Sequence, residues 1–147
     1  MVIRLVEERD TEEWLRLRLT LWPNHTVDEM RAEMAEFRAD ESTPVFVAER
    51  GDGTLGGFVE AGLRKYADGC DTSPVGYIEG WYVDADLRGQ GIGRALVQAA
   101  EEWALKQGCV EMGSDTWLDN EVSYRAHLAI GYEEAERLIH FRKRLVP

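Results

Sequence analysis

The sequence predicts an α+β sandwich: a mixed, largely antiparallel sheet flanked by helices. Three observations predict it. Short apolar or alternating segments of strand type recur along the chain, separated by turn signals. Two helical segments, each opened by a capping pattern, precede the main run of strands. Past the middle, a glycine-rich turn leads from a strand straight into a long helix. The predicted order is β-α-α-β-β-β-α-β-α-β-β, read as one domain over residues 1–147.

Residues 2–6 form the first predicted strand. Asp10-Thr11-Glu12-Glu13 has capping-box form, with Asp in place of Ser or Thr, and starts a helix with apolar residues Trp14, Leu15, Leu17, Leu19 and Leu21. Pro23 stops it. Thr26-Val27-Asp28-Glu29 opens a second helix to about Ala39, with Met30, Met34 and Phe37 at helical spacing. Residues 44–49 are a short apolar strand, Asp52-Gly53 a turn, and 55–64 the antiparallel partner. A polar loop over 66–74 carries Gly69 and Pro74, and residues 75–83 are the next strand. The glycine turn at 88–93 leads into a helix to about Gln107, ended by Gly108. Residues 110–116 then read as a strand, 120–130 as a helix stopped by Gly131, and 132–145 as a closing two-strand hairpin.

Length and composition bound the function. A chain of 147 residues buries roughly 70% of its unfolded surface, enough for one core. Apolar content of 44% and charged content of 31% are those of a globular protein. No stretch approaches the roughly 20 apolar residues of a membrane span. Acids follow almost at once after Met1, unlike an export signal, so a cytoplasmic location is expected. Cys70 and Cys109 lack CxxC spacing and metal partners, so reduced thiols and no metal are expected. The 28 acids against 17 bases leave a net charge of −11, which repels nucleic acid and anionic membrane and draws cations. Acidity also serves solubility, so it becomes informative only beside a site for a cation.

The turn Arg88-Gly89-Gln90-Gly91-Ile92-Gly93-Arg94 has a direct chemical reading. Glycines let the backbone approach a ligand and take positive φ. The free N–H groups and dipole of the following helix suit a phosphate, and the two arginines add charge. A dinucleotide fold would place such a turn early, in a parallel βαβ unit, and a P-loop would continue Gly-Lys-Ser/Thr; neither holds here. A tight turn without a ligand is the alternative.

This turn resembles the Q/R-x-x-G-x-G/A signature of the GNAT acetyltransferases. The preceding strand ends in Tyr82-Val83-Asp84, as theirs often do, and the element order agrees over essentially the whole chain. The resemblance implies acetyl-CoA as cosubstrate, with its pyrophosphate on Arg88, Gly89, Gln90, Gly91, Ile92, Gly93 and Arg94. It implies a pantetheine arm along Trp81, Tyr82 and Val83, and against Asp119 and Asn120, with Asn120 matching the family's pantetheine-contacting Asn. It also implies an oxyanion-stabilising N–H near Val83, a donor type that lowers a barrier by roughly 3–4 kcal/mol. Many family members carry a Tyr, the acid to the CoA thiolate, four residues before a late glycine. Here that position, before Gly131, is His127, with Tyr124 one turn away. His127 would donate a proton, hydrogen-bond the sulfur, or serve as a structural contact.

A finer resemblance, to aminoglycoside 6′-N-acetyltransferases, rests on Leu21-Trp22-Pro23-Asn24-His25, on the run from Thr72 through Pro74 and Glu79 to Trp81, and on Ser114-Asp115-Thr116-Trp117-Leu118-Asp119-Asn120. It implies a cationic aminoglycoside substrate, a role in antibiotic resistance, and a homodimer. The residues support a cation site independently. Glu79 shares a face with Tyr77 and Trp81 by period two, and Asp115 ends the strand after the long helix. In the GNAT fold that the resemblance implies, those strands splay apart and the cleft between them holds the amine; two carboxylates there would attract a polycation and accept a proton, directly or through water. Asp115 is expected as the base and Glu79 as anchor or water-relay base, their order open; either could instead pair with an arginine or cap a turn. Trp22, His25 and Tyr66 are candidate sugar contacts, with core packing the alternative for Trp22, and Glu136 is a further acidic candidate. Neither cysteine shows a cue for activation, so direct attack by the amine is preferred to a covalent route. The alternatives are a GNAT enzyme for a polyamine, amino acid or protein N-terminus, and a non-catalytic acyl-CoA-binding protein. No nucleic acid or membrane partner is expected.

Overall fold

In the computed structural model, which describes all 147 residues, the strand-type segments assemble into a five-stranded sheet in the order β1-β2-β3-β4-β5. These are β1 (Val2–Leu5), β2 (Val45–Glu49), β3 (Leu55–Arg64), β4 (Val75–Val83) and β5 (Met112–Gly113). The first four pair antiparallel in sequence; β5 joins parallel to β4. The helices are α1 (Thr11–Leu21), α2 (Val27–Ala39), α3 (Ile92–Lys106) and α4 (Glu121–Ala129). None is long and apolar enough to cross a membrane. Period two along the strands sends alternate residues to opposite faces. Phe58 and Val47 meet Trp14, Leu17 and Met30 under α1 and α2, whereas Val59, Ala61 and Ile78 meet Leu96, Val97 and Ala100 of α3.

The helix starts differ from each other. Thr26 caps α2 as expected: its hydroxyl accepts from the Glu29 N–H, and Glu29 reaches back to the Thr26 N–H. Asp10 makes no side-chain cap to α1. Its carboxylate is held by Arg4 (2.7 and 2.9 Å) and accepts from the Glu7 N–H at 2.8 Å, because a buried acid gains more from a guanidinium than from an exposed helix end. Asp10 therefore joins β1 to the entry of α1.

Pattern reading places Leu17 in the core but misses its neighbour Arg18, which is equally buried. The Arg18 guanidinium donates to both oxygens of Glu60 on β3 (2.7 and 3.1 Å) and to Glu33 on α2 (2.9 Å), while the Trp14 indole N–H donates to Glu60 at 2.9 Å. Burial pushes the Glu60 carboxyl up, against the pull of Arg18 and Trp14. These contacts tie both helices to the sheet at one point.

At that point the sheet changes register. Glu60 pairs with Gly80 and Ala61 pairs with Ile78, which leaves Glu79 as an extra residue in β4. The bulge overturns one expectation. Glu79 keeps the company of Tyr77, but Trp81 lies on the opposite face, beside Val59 and α3, because the extra residue reverses the alternation.

Two further expectations are also corrected. Of residues 110–116, only Met112 and Gly113 pair, opposite Gly76 and Tyr77, since β4 and β5 then diverge. The hairpin over 132–145 does not form. After Tyr132 the chain runs without regular structure, with Leu138, Ile139 and Phe141 exposed, because the two-residue β5 offers no ladder for it to extend.

Glu60→Ala is expected to destabilise the protein by about 3–5 kcal/mol in denaturant unfolding, because it strands the Arg18 charge inside. Arg18→Met with Glu60→Leu is expected to cost less than either single change. A single-variant loss below about 1 kcal/mol would show that the pair behaves like a surface contact.

Candidate active site

Because β5 leaves β4 after Tyr77, the edge of β4 from Ile78 to Val83 has no strand beside it. Such an edge presents backbone donors and acceptors to an extended ligand. Two groups of side chains stand at this opening, linked by the consecutive residues Ser114 and Asp115.

The first group holds both candidate acids. The Arg64 guanidinium donates to Glu79 from Nε and a terminal nitrogen (3.0, 2.7 and 2.9 Å) and lies 3.5 Å from the centroid of the Tyr77 ring. The Tyr77 hydroxyl in turn donates to Asp115 Oδ2 at 2.7 Å. Burial, reinforced by Asp115, pushes the Tyr77 phenol well above its ordinary value, so it remains a donor across the physiological range. Glu79 thus has both oxygens engaged by an arginine, whereas Asp115 has one oxygen committed to a neutral phenol.

The second group surrounds His127. Its Nδ1 lies 2.7 Å from the Ser123 carbonyl oxygen, which only accepts, so Nδ1 carries the proton. In the neutral ring Nε2 then accepts from the Ser114 hydroxyl at 2.7 Å. The ring packs edge-on between Trp81 (5.2 Å) and Tyr132 (5.9 Å), whose hydroxyl donates to Glu101 at 2.7 Å. Trp81 Nε1 is buried and has no partner. An orphaned donor of this kind costs about 1–3 kcal/mol.

That donor sits against the first turn of α3, where a Cβ on Gly93 would come within 3.1 Å of the Trp81 ring. Gly91 caps α3 with φ +82°, Gly89 has φ +78°, and a Cβ at either would meet nothing within 4 Å. The first intrahelical bond runs from Ala95 N to the Gly91 carbonyl, leaving the N–H groups of Ile92, Gly93 and Arg94 ahead of it. An open glycine cradle, unspent helix N–H groups and an unpartnered indole N–H together fit a phosphate-bearing cosubstrate such as acetyl-CoA. The side chains of the turn have internal duties as well. Arg88 Nε donates to the Val83 carbonyl (3.0 Å), Gln90 to the Asp86 carbonyl (3.2 Å) and Arg94 to the Ala129 carbonyl (2.7 Å), while Ile92 is core. Asn120 caps α4, its Oδ1 accepting from the Ser123 N–H at 3.1 Å.

The remaining candidates divide. Trp22 is half-buried, edge-on to Phe58, under the Arg18 guanidinium (4.9 Å) and against Gly80, where a Cβ would come within 2.6 Å of Trp22 Cη2. Its aromatic bulk is therefore partly structural. His25 is exposed, 3.5 Å from Glu29. Tyr66 is exposed and donates to Asp68; Glu136 lies close enough to act on it electrostatically. None of these three makes a hydrogen bond or ion pair with Glu79 or Asp115. Sequence reasoning missed Arg64 and Ser114, and also Glu111. The Glu111 carboxylate accepts from the Asp71 and Thr72 N–H groups (2.9 and 2.8 Å) and from the Thr72 hydroxyl, pinning the loop over 66–74 beside β5. Only the adjacency of Ser114 to Asp115 hinted at the second. Burial raises both thiols, Cys70 and Cys109, so neither is an activated nucleophile.

Comparison with known proteins gives a consistent result. The model of the acetyltransferase (GNAT) family matches residues 11–132. Aminoglycoside N(6′)-acetyltransferase type 1 of Klebsiella aerogenes is 44% identical, covering 98% of this chain and 97% of that protein. The corresponding protein of Stenotrophomonas maltophilia is 41% identical over 99% and 94%. Among solved structures, AAC(6′)-Iy in complex with the bisubstrate analogue CoA-S-monomethyl-acetylneamine superposes with a TM-score of 0.91 at 39% identity, over 97% of each chain. Substrate-free AAC(6′)-IG of Acinetobacter haemolyticus gives 0.94 at 33% identity, over 99% and 100%.

The Glu111 anchor is tested by amide exchange. Its hydrogen bonds, the Thr72 hydroxyl first, hold the carboxyl below its ordinary value. A depressed acid contributes fully above its unfolded pKa, about 4.3 for Glu, and the contribution fades as pH falls through the lower folded value. Protection of the Asp71 and Thr72 amides is therefore expected to be constant above that pH, to drop below it, and to be absent at every pH in Glu111→Ala.

Proposed function

The chain belongs to the GNAT acetyltransferase family, and on that premise we propose that it transfers acetyl from acetyl-CoA to the 6′ amine of aminoglycoside antibiotics, conferring resistance, by direct attack of the amine. The observation that carries this reading is the pair of carboxylates, Glu79 and Asp115, linked through Arg64 and Tyr77 at the open edge of β4. The near full-length identity to aminoglycoside N(6′)-acetyltransferases supports it.

Bound acetyl-CoA supplies an activated thioester. The N–H groups at the start of α3, the Gly89–Gly91 cradle and the Trp81 indole would hold it, with the backbone near Val83 as oxyanion donor. The substrate amine arrives as an ammonium, and a nearby carboxylate both attracts it and takes the proton that frees its lone pair. Asp115 is the base in this reading, because one of its oxygens has no hydrogen-bond partner while both Glu79 oxygens are clamped by Arg64. Glu79 anchors the cation. His127 offers a proton at Nε2 only when doubly protonated, since Nδ1–H is committed to the Ser123 carbonyl. In that form its proton passes through the Ser114 hydroxyl towards the departing sulfur. In this reading Trp22, His25, Tyr66 and Glu136 would contact the sugar rings.

The same reading includes a homodimer in the cytoplasm, where acetyl-CoA is available. Ile139 and Phe141, two residues apart and 78% and 90% exposed, lie in the irregular segment after Tyr132 without a face to cover them. A second copy would bury that surface. A solution mass of twice 16.7 kDa is expected by light scattering, and a monomer would remove this part of the reading.

Release of CoA thiol from acetyl-CoA is expected with kanamycin and tobramycin. Asp115→Asn is expected to lower kcat by about 10²–10⁴-fold, and Glu79→Gln to act mainly through KM. Turnover on spermidine alone would keep the acetyltransferase and sink the antibiotic substrate; turnover retained in Asp115→Asn would remove that residue as the base.

A further inference from the structure

Glu79 already holds a cation, and it belongs to the protein. Arg64 makes three contacts to the two Glu79 oxygens (2.7 to 3.0 Å) and stacks on Tyr77, which donates to Asp115. The row reads acid, cation, ring, acid. A guanidinium on a carboxylate, over an aromatic face, is the arrangement an alkylammonium would also seek. Arg64 is the last residue of β3, its side chain is 42% exposed, and it leads into the loop that Glu111 pins. It can therefore swing out without breaking the ladder or opening the core. No other arginine or lysine pairs with Glu79 or Asp115.

We propose that Arg64 is a specificity-determining residue, a resident cation that occupies the Glu79 subsite and must be displaced before a substrate ammonium can use it. The inference rests on the reading that Glu79 and Asp115 bind a cationic amine. A monoamine that reacts at Asp115 does not reach Glu79 and leaves Arg64 in place. A polyamine that places one ammonium at Asp115 and another at Glu79 must first break the Arg64 ion pair, so Arg64 offsets part of what the second ammonium gains. Arg64 thus tempers the preference of the two carboxylates for polyamines. It acts by occupancy, and Glu79 is the group that touches the substrate.

Arg64→Met keeps length and packing on Tyr77 but removes the charge, and Arg64→Lys keeps the charge. Thermal unfolding checks that both variants fold. KM and kcat are then measured for kanamycin and for a monoamine, 6-amino-6-deoxyglucose. In Arg64→Met the KM for kanamycin is expected to fall about fivefold relative to that for the monoamine, the size of one exposed ion pair. Arg64→Lys is expected to keep the wild-type ratio. An unchanged ratio in Arg64→Met, or an equal loss of kcat on both amines, overturns the inference and leaves Arg64 as a structural partner of Glu79. Absence of wild-type turnover on kanamycin would instead overturn the proposed function, and this inference with it.

Discussion

The contact on which the site depends is a buried one, the Arg18–Glu60 pair. Two charges removed from water persist only when each finds full hydrogen bonding, and here Trp14, Glu33 and both Glu60 oxygens provide it. The pair locks α1 and α2 to β3 at the residue where β3 and β4 change register. Gly80 stands directly opposite Glu60, and its missing side chain leaves room for Trp22 and for the Glu60 carboxylate. One constraint therefore positions the bulge, the half-buried indole and the extra residue Glu79.

From the bulge the cleft follows. The extra residue turns Glu79 towards Arg64 and Tyr77 and sends Trp81 to the other face, so one strand serves two groups of ligands. On the acid side the cation present is Arg64. The Trp81 side meets the first turn of α3 and the His127 ring. The early departure of β5 opens the space between them, and Ser114 and Asp115 at its end contribute one residue to each side. The net charge of −11 then has a local counterpart: Glu79 and Asp115 place two carboxylates at the opening beside β4.

The glycine turn shows how motif and fold share work. Its backbone is free for a ligand, while its long side chains mostly brace the protein: Arg88 on the end of β4, Arg94 on the end of α4. Positive charge beside the glycine turn is thus delivered by residues that also brace the ends of β4 and α4.

The sequence by itself determined the α+β class, four helices near their observed bounds, the β3 and β4 strands and the glycine turn. Each of these is a local signal: a capping box at Thr26, period two in the strands, glycines where positive φ is needed. Only the tertiary structure decided the rest. Arg18 as a core residue, the partnership of Arg64 with Glu79, the tautomer of His127 and the loop anchor at Glu111 all join residues far apart in the chain or atoms that no periodicity orients. The same holds for what failed to form. A strand over 110–116 and a hairpin over 132–145 have suitable residues, but a strand exists only where a neighbour supplies hydrogen bonds, and that neighbour is a property of the assembled sheet.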